Sequence, residues 1–130
     1  MARLILDTTV LVAAERSREA LDDMVADADD VVIAAITAAE LLVGVHLADD
    51  GRRVVRAGFV DAVLRTIPVV DYDLAVARAH AELLAHVRRT GRPRGAHDLI
   101  IAATARATSR VVVSADASAF ADLPGVAHHL

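Results

Sequence analysis

Short aliphatic and β-branched runs alternate with longer stretches of helical periodicity, and this alternation constrains the fold more than any other feature. The runs are Leu4–Leu6, Val31–Ala34, Ile67–Val70 and Val111–Val113. Continuously apolar strands are typical of a parallel sheet that is covered on both faces. Strands that alternate with helices form such a sheet between two helical layers. We therefore expect an α/β fold, a three-layer α/β/α arrangement around a mainly parallel sheet of roughly four to five strands.

Helical periodicity, with apolar residues at i, i+3 and i+4, fills the intervals between the strands. It predicts helices over Thr37 to about Ala48, Arg52–Arg65, Asp73–Thr90 and His97–Ser109, and one or two helices over Thr9–Asp27 with a break near Ser17. Gly91–Gly95 is the clearest internal loop. The 130 residues, 55% of them hydrophobic, predict a single domain over residues 1–130.

Composition excludes several kinds of chemistry. The chain has no Cys, so it offers no thiolate metal site and no cysteine nucleophile. All 14 basic residues are Arg, which excludes a Schiff base, a P-loop lysine and the lysine of a phospho-acceptor receiver domain. The net charge of −4 argues against a general nucleic-acid binder. No apolar stretch approaches the ~20 residues of a membrane helix, and the amino terminus lacks a signal-peptide segment, so we expect a cytoplasmic protein.

Four acidic residues fall where a predicted strand ends or a predicted helix begins. They are Asp7 and Asp116, which follow strands, and Glu40 and Asp98, in the first turns of helices. In right-handed βαβ units, the carboxyl ends of strands and the amino ends of helices share one edge of the sheet. We therefore expect the four carboxylates to meet at that edge, where ligands bind in open α/β sheets.

Each of these carboxylates has a plainer alternative role. Glu40 could complete a capping box with Thr37. Asp98 could complement its helix dipole, an effect of ~0.3–1 kcal/mol, and Asp116 could cap the turn that follows it. Asp7 is the hardest to explain in this way, because it follows an apolar strand and should be partly buried. Buried charges are usually paired or bound to metal.

Carboxylates brought together destabilise one another and raise one another's pKa. Mg²⁺ or Mn²⁺ relieves that repulsion, prefers oxygen ligands and retains several waters. Such an ion can activate a water and stabilise charge on a scissile phosphate. The sequence contains no readable Ser-His-Asp pattern or nucleophile elbow. The residues therefore predict metal-assisted cleavage of a phosphodiester.

Four segments resemble, in order, the four motifs of PIN-domain ribonucleases. They are Ile5–Val12, Ile36–Gly44, His97–Ala105 and Val111–Phe120, the last continued by Leu123–Val126. The resemblance covers nearly the whole chain, and the compact size and combined motifs are similar to those of VapC toxins of type II toxin–antitoxin systems. It implies a Mg²⁺-dependent endoribonuclease, with Mn²⁺ as a substitute ion, that leaves a 5′-phosphate and a 3′-hydroxyl.

The resemblance also implies roles for individual residues. Asp7 and Asp98 would be the principal metal ligands, and Asp116 would complete the coordination, partly through water. Glu40, also at the metal, would position or deprotonate the attacking water. Thr9 would hold an acidic residue, or a water on the metal, by a hydrogen bond.

One departure from the family pattern is Ala119, where relatives often carry a second acidic residue; it implies a weaker outer metal position. The resemblance further implies a structured RNA substrate, such as a tRNA or a ribosomal RNA loop. A homodimer and a small antitoxin that wraps the helices into a higher assembly are also implied. Apolar residues of the first helices could line the antitoxin groove, with the domain core as their alternative role: Val10, Leu11, Leu21 and Met24.

Arginines cluster before Asp98 around the Gly/Pro loop: Arg88, Arg89, Arg92 and Arg94. Because guanidinium groups suit phosphate, this cluster, and Arg94 above all, is a candidate RNA-contacting rim. The alternative is a solvated helix end that complements the dipole. Arg16 and Arg18 are further candidates of the same kind.

Other polar features have two interpretations each. His97 either assists at the site or faces solvent, and His128–His129 belongs to a disordered tail or to a strand at the edge of the sheet. We expect Asp27–Asp30 to form a solvated loop. Gly44, inside a helix, indicates a close contact between helices.

Two rival functions use the same fold. One is a PIN nuclease outside any toxin pair that acts in RNA processing or decay. The other is a degenerate PIN fold that only binds proteins, which Ala119 favours and the retention of four core acidic residues opposes.

Overall fold

A computed structural model describes residues 2–17 and 30–129 of the chain. The described residues form five strands: Arg3–Leu6 (β1), Asp30–Ala34 (β2), Val69–Val70 (β3), Val111–Val113 (β4) and Ala127–His129 (β5). The same residues form five α-helices, Thr8–Arg16 (α1), Ala35–Leu47 (α2), Asp50–Thr66 (α3), Leu74–Thr90 (α4) and Ala96–Ala107 (α5), and a 3-10 turn over Ala117–Ala119. None of the helices in this described part is long and apolar enough to cross a membrane.

The strands form a parallel sheet in the order β3-β2-β1-β4-β5. Leu4 of β1 pairs with Val31 of β2 on one side and with Val111 of β4 on the other. The expected α/β fold with a parallel sheet of four to five strands is confirmed. Of the two alternatives for His128–His129, the structure adopts the strand, because both residues pair with β4.

Successive strand residues pack on opposite faces of the sheet. Ile5 and Val112 join a core that includes buried residues of α4 and α5. Leu6 and Val113 join a second core, with buried residues of α1, α2 and α3. Both faces are therefore covered by helices, which explains why the strands are apolar without alternation.

The third strand is shorter than the sequence predicts. The expectation that Ile67 begins it is wrong, because the Ile67 N–H donates to the carbonyl of Val63 and ends α3. The side chain of Ile67 is buried in the second core. Only Val69–Val70 pair with β2, while the Pro68 carbonyl accepts from the N–H of Ile33.

Helix α1 ends at the predicted break, with Ser17 as its C-cap. The predictions for Arg18, Leu21, Met24 and Asp27 fall in residues 18–29, outside the described ones, and stay predictions.

Gly91 and Gly44 differ in whether their positions require glycine. Gly91 ends α4 with a φ of 67°, a conformation that glycine adopts without strain. Gly44 faces Arg56 of the neighbouring helix α3, so it does lie at a contact between helices. A Cβ added there would meet the Arg56 side chain at an ordinary 3.7 Å, so this contact does not require glycine.

Charges at the amino edge of the sheet are paired. The Asp30 carboxylate accepts from Arg110 at 2.7 Å and from Arg3 at 3.2 Å. The hydrogen bond from Arg110 lowers the pKa of Asp30 against an opposing effect of burial, and the charges of Arg110 and Arg3 lower it further. Arg110 also donates to the backbone carbonyls of Leu4 and Asp30. The expectation that Asp30 belongs to a solvated loop is therefore wrong: it is the first residue of β2.

Candidate active site

The carboxyl ends of β1 and β4 lie side by side in the middle of the sheet. From β1 the sheet continues through β2 and β3, and from β4 it continues to β5 on the other side. The strand order therefore reverses between β1 and β4. Such a switch point leaves a crevice in which ligands bind. Asp7 follows β1 and Ser114 follows β4, so both lie at this crevice.

Asp7 is buried there, with 3% of its surface exposed. One carboxylate oxygen accepts from the backbone N–H of Thr8 at 2.8 Å, so Asp7 also caps α1. The other oxygen accepts from the hydroxyl of Thr9 at 2.9 Å and from the hydroxyl of Ser114 at 2.7 Å. These three donors satisfy the buried carboxylate and fix its orientation.

The two hydroxyl groups connect the ends of β1 and β4. Thr9 Oγ1 accepts from the N–H of Ala115 at 3.1 Å, and Ser114 Oγ accepts from the N–H of Asp116 at 3.0 Å. The bond from Thr9 to the Asp7 carboxylate is of the kind that the family resemblance implied. Sequence reasoning missed Ser114. The signal was a small hydroxyl residue directly after a buried apolar strand.

Glu40 lies in the second turn of α2, and not in the first as expected, because the helix begins at Ala35. The capping-box alternative is wrong for the same reason. Ala34 occupies the N-cap position, and the Thr37 hydroxyl is buried without a hydrogen-bond partner among the described residues. The Glu40 carboxylate instead accepts from the hydroxyl of Thr8 at 3.0 Å, which ties α2 to α1.

Asp98 lies in the first turn of α5, as expected. Burial is the largest cause of its raised pKa. The negative charges of Asp7, Asp116 and Glu40 raise the pKa of Asp98 further, whereas His97 lowers it. His97 Nδ1 also lies 3.6 Å from a carboxylate oxygen of Glu40. Asp7, Glu40 and Asp116 are therefore near enough to act on Asp98, although the four residues come from separate parts of the chain.

Gly95, the N-cap residue of α5, leaves space for the Asp98 carboxylate. A Cβ at Gly95 would lie 2.7 Å from Asp98 Oδ2, closer than such atoms approach. The φ of −58° at Gly95 is accessible to any residue, so the glycine is needed for space and not for its backbone conformation. Sequence reasoning treated Gly95 only as a loop residue.

Asp116 is exposed at the same edge and precedes the 3-10 turn. It occupies the N-cap position, but its carboxylate makes no capping bond to the backbone and accepts from the hydroxyl of Ser118 at 2.6 Å. The capping alternative is therefore not seen. Ala119 is buried in the first core beside Phe120, so its side chain packs there.

The donor set suits a hard cation, because carboxylate oxygens are the ligands that Mg²⁺ prefers. Burial and, after it, the neighbouring negative charges raise the pKa of Asp98, and a cation would relieve the part that is due to those charges. Within residues 2–17 and 30–129, however, no group of three Asp, Glu or His side chains is placed to hold an ion. Mg²⁺ keeps several waters and is often held by only one or two carboxylates. The residues therefore fit a hydrated ion with few direct protein ligands.

The predicted arginine rim is partly used by the fold. Arg94 donates to the backbone carbonyl of Ala121 at 2.8 Å. Arg88 and Arg89 lie in the last turn of α4, where they also complement the helix dipole.

The residues predicted to line the antitoxin groove are partly used by the hydrophobic core. Leu11 is fully buried and Val10 packs against the second core, so the core role is confirmed for Leu11. The described part of α2 and α3 exposes other large apolar side chains: Leu42, Val43, Leu47, Val54 and Val55.

The PIN domain family matches residues 4–126 of this chain. The chain is 36% identical over 126 residues to Ribonuclease VapC5 of Mycobacterium tuberculosis, which covers 95% of this chain and 89% of that one. It is 25% identical over 128 residues to the tRNA(fMet)-specific endonuclease VapC of Shigella flexneri, covering 97% and 96% of the two chains. Its fold is similar to a chain of VapBC-5 from Mycobacterium tuberculosis, a member of the VapBC family of toxin–antitoxin systems. That comparison has a TM-score of 0.80 at 30% identity and covers 98% of each chain.

The chain therefore belongs to the PIN domain family. Its relatives within that family are VapC ribonucleases, and the similar structures include VapBC toxin–antitoxin complexes. The resemblance drawn from the four sequence motifs is confirmed.

Proposed function

We propose that the chain is a Mg²⁺-dependent endoribonuclease, the toxin of a type II toxin–antitoxin pair, that cleaves a structured RNA such as a tRNA or a ribosomal RNA loop. The observation that carries this proposal is the meeting of the carboxylates at the switch point of the sheet. Hydrogen bonds join Asp7 to Ser114 and Glu40 to Thr8 there, and His97, next to Asp98, lies 3.6 Å from Glu40. The relative at 36% identity is named a ribonuclease, and another relative is named for tRNA(fMet), which supports RNA as the substrate.

Asp7 and Asp98 are the proposed principal metal ligands, with Asp116 at the rim. Hydrogen bonds from Thr9 and Ser114 already orient the Asp7 carboxylate. Because that side chain is already ordered, it would lose little conformational freedom on binding an ion, and this favours affinity for the ion. When bound, the ion would lower the pKa of a water and stabilise negative charge on the scissile phosphate.

Glu40 is the proposed proton acceptor. The bond from Thr8 holds one of its carboxylate oxygens, and the other oxygen faces His97. As the water attacks phosphorus, its proton passes to Glu40 and the bond from phosphorus to the 3′ oxygen breaks. The departing oxygen takes up a proton, which leaves a 3′-hydroxyl and a 5′-phosphate. A general base of this kind typically contributes about 10²–10⁴-fold to the rate.

The proposed partners are a small antitoxin and a second copy of the chain, in the cytoplasm. The similar solved structures include a member of the VapBC family of toxin–antitoxin systems, which supports an antitoxin. The apolar side chains exposed on α2 and α3 offer a surface for a partner, since apolar patches on a folded protein commonly mark interaction sites.

Cleavage of total RNA tests the nuclease proposal. The chain should cut RNA in Mg²⁺ and leave it intact in EDTA, and Asp7→Asn should be inactive in both. Sequencing of the 5′-phosphate ends then identifies the RNA and the cut site. Equal cleavage with and without the metal would refute the proposal, and no cleavage in Mg²⁺ would favour the protein-binding alternative.

Isolation of the protein from its host separates the toxin from a PIN nuclease that works alone. A small protein bound in a fixed ratio is expected for the toxin. An active nuclease recovered without such a partner would support a role in RNA processing or decay.

A further inference from the structure

Two adjoining cavities form a groove beside α4. The first, of about 420 Å³, is lined by residues of α4 and of two loops, among them His86, Arg92, Arg94 and Asp122. The second, of about 460 Å³, shares His86 and is also lined by Arg89 and Arg106. We call the two cavities together the α4 groove.

The carboxyl edge of the sheet, where Asp7, Glu40, Asp98 and Asp116 lie, is called here the acidic edge. The α4 groove lies close to it. Arg94 precedes Asp98 by four residues, so their Cα atoms are at most about 14 Å apart. Asp122, which also lines the groove, follows the 3-10 turn that begins after Asp116. From there the groove runs along α4 to Glu82, which pairs with Arg106 near the far end of α5.

The cations of the groove are only partly used by the fold. Arg106 pairs with Glu82, and Arg94 donates to the Ala121 carbonyl. Within the part of the chain that the structure describes, Arg89 and Arg92 line the groove without a hydrogen bond or an ion pair. The same holds for the carboxylate of Asp122.

An RNA strand that reaches the acidic edge meets several carboxylates on a chain of net charge −4. Binding of RNA depends largely on neutralisation of its phosphates by Lys and Arg, so cations near the cut site must offset the repulsion. Guanidinium groups are suited to this, because their planar fork of donors matches a phosphate. Arg89 and Arg92 are free for this contact within the described residues. They line a concave surface that also includes Arg94, four residues before Asp98.

We propose that the α4 groove binds the phosphate backbone of the single-stranded RNA segment next to the scissile bond. Arg92 contacts a phosphate close to the acidic edge, and Arg89 contacts one further along. The principal contacts are thus Arg92 and Arg89, while Arg94 is held in the wall of the groove by its bond to Ala121. This inference rests on the proposed nuclease function.

The chain provides a matched control. Arg88 is exposed and adjacent to Arg89 on α4, but it lines neither cavity. Arg88→Ala therefore changes the net charge as Arg89→Ala does without altering the groove. Asp122→Asn supplies a change of opposite sign. Asp122 has a φ of 61°, which Asn tolerates.

The test measures the affinity for a fluorescent single-stranded oligouridine by anisotropy, in EDTA and at several salt concentrations. Arg89→Ala and Arg92→Ala should each weaken binding by about 5- to 10-fold and reduce the logarithmic salt slope by about 0.7. Asp122→Asn should tighten binding by about 2-fold, because one unpaired negative charge is removed. Arg88→Ala should stay within about 2-fold of the unmodified chain.

Two results would overturn the inference: equal weakening by Arg88→Ala and Arg89→Ala, or unchanged affinity in Arg92→Ala. A separate cleavage assay in Mg²⁺ distinguishes the two proposals. If the variants bind as expected and the unmodified chain cuts no RNA, the nuclease function fails and only the binding of an RNA backbone by the groove stands. If the unmodified chain cuts RNA and the groove variants bind like it, the groove alone fails.

Discussion

Carboxylates at the two ends of the same sheet have opposite electrostatic surroundings. At the amino edge, Asp30 is held by Arg110 and Arg3, and its pKa is lowered. At the carboxyl edge, Asp98 is half-buried among other carboxylates, and its pKa is raised. The first cluster is compensated within the chain and stabilises the fold. Among residues 2–17 and 30–129, only His97 lowers the pKa of Asp98. Under the proposed function, a divalent cation would compensate the negative charge of this second cluster.

The largest expected effect is on catalysis. Asp98→Ala should abolish cleavage, a loss of at least about 10²-fold, because a principal ligand is removed. Thermal melting in EDTA should show the metal-free protein to be as stable as the unmodified chain or more so, since one of several like charges has gone. A large loss of stability in EDTA would instead show that Asp98 serves mainly to complement the dipole of α5.

Gly95→Ala should separate the geometry of the carboxyl edge from its charge. The new Cβ would meet Asp98 Oδ2 at 2.7 Å, so the carboxylate must move while every charge is kept. We expect the cleavage rate to fall by about 10- to 100-fold, because displacements near 1 Å at a site cost about that much. Melting should change little, as the backbone conformation suits alanine. Gly58→Ala is a control, since nothing lies within 4 Å of its added Cβ. Full activity of Gly95→Ala would contradict the account.

Arg110→Ala tests the amino edge. The side chain of Arg110 is 9% exposed and donates to the Leu4 and Asp30 carbonyls as well as to the Asp30 carboxylate. Its loss should lower the free energy of unfolding, because three partly buried acceptors lose a charged donor. Urea unfolding measures this change. Cleavage per folded molecule should be unaffected, and a selective loss of activity would show that the two edges are coupled.

The pH dependence of stability should differ in sign between the two edges. Without metal, Asp98 binds its proton more tightly in the folded state than in the unfolded state. Its stabilising contribution is therefore present below pH 3.8, the ordinary pKa, and is lost as the pH rises through the raised pKa. Asp30 contributes stability above pH 3.8 that is lost as the pH falls through its lowered pKa.

Melting curves in EDTA over the acid range check this prediction. Asp98→Asn should remove the loss of stability on raising the pH, while Arg110→Ala should weaken the loss on lowering it. Identical pH profiles for Asp98→Asn and the unmodified chain would show that the crowding at Asp98 carries no free energy.

From the sequence, the positions of the acidic residues at this edge could be predicted better than the hydrogen bonds that they accept. Asp7 and Asp98 could be placed because each stands at the end of a strand or the start of a helix, and chain connectivity brings those ends together. The bond from Ser114 to Asp7 joins residues 107 apart, and the bond from Thr8 to Glu40 joins residues 32 apart. Local patterns carry no information about such pairs.

The misplaced elements have a common physical cause. Ile67 has a β-branched side chain, which favours a strand. In the structure it ends helix α3 instead, and its side chain is buried in the second core. Thr37 and Glu40 have the spacing of a capping box, yet α2 starts two residues before Thr37, directly after β2. In both cases tertiary packing overrides a local preference.

The proposed function requires a divalent cation to neutralise the carboxylates that meet at the carboxyl edge of the sheet. The most direct measurement is the melting temperature of the unmodified chain and of Asp98→Ala during a titration with Mg²⁺. The account predicts that Mg²⁺ stabilises the unmodified chain in a saturable way, while Asp98→Ala is at least as stable in EDTA and gains much less from the ion. Equal stabilisation of both proteins by Mg²⁺, or no stabilisation of either, would contradict it.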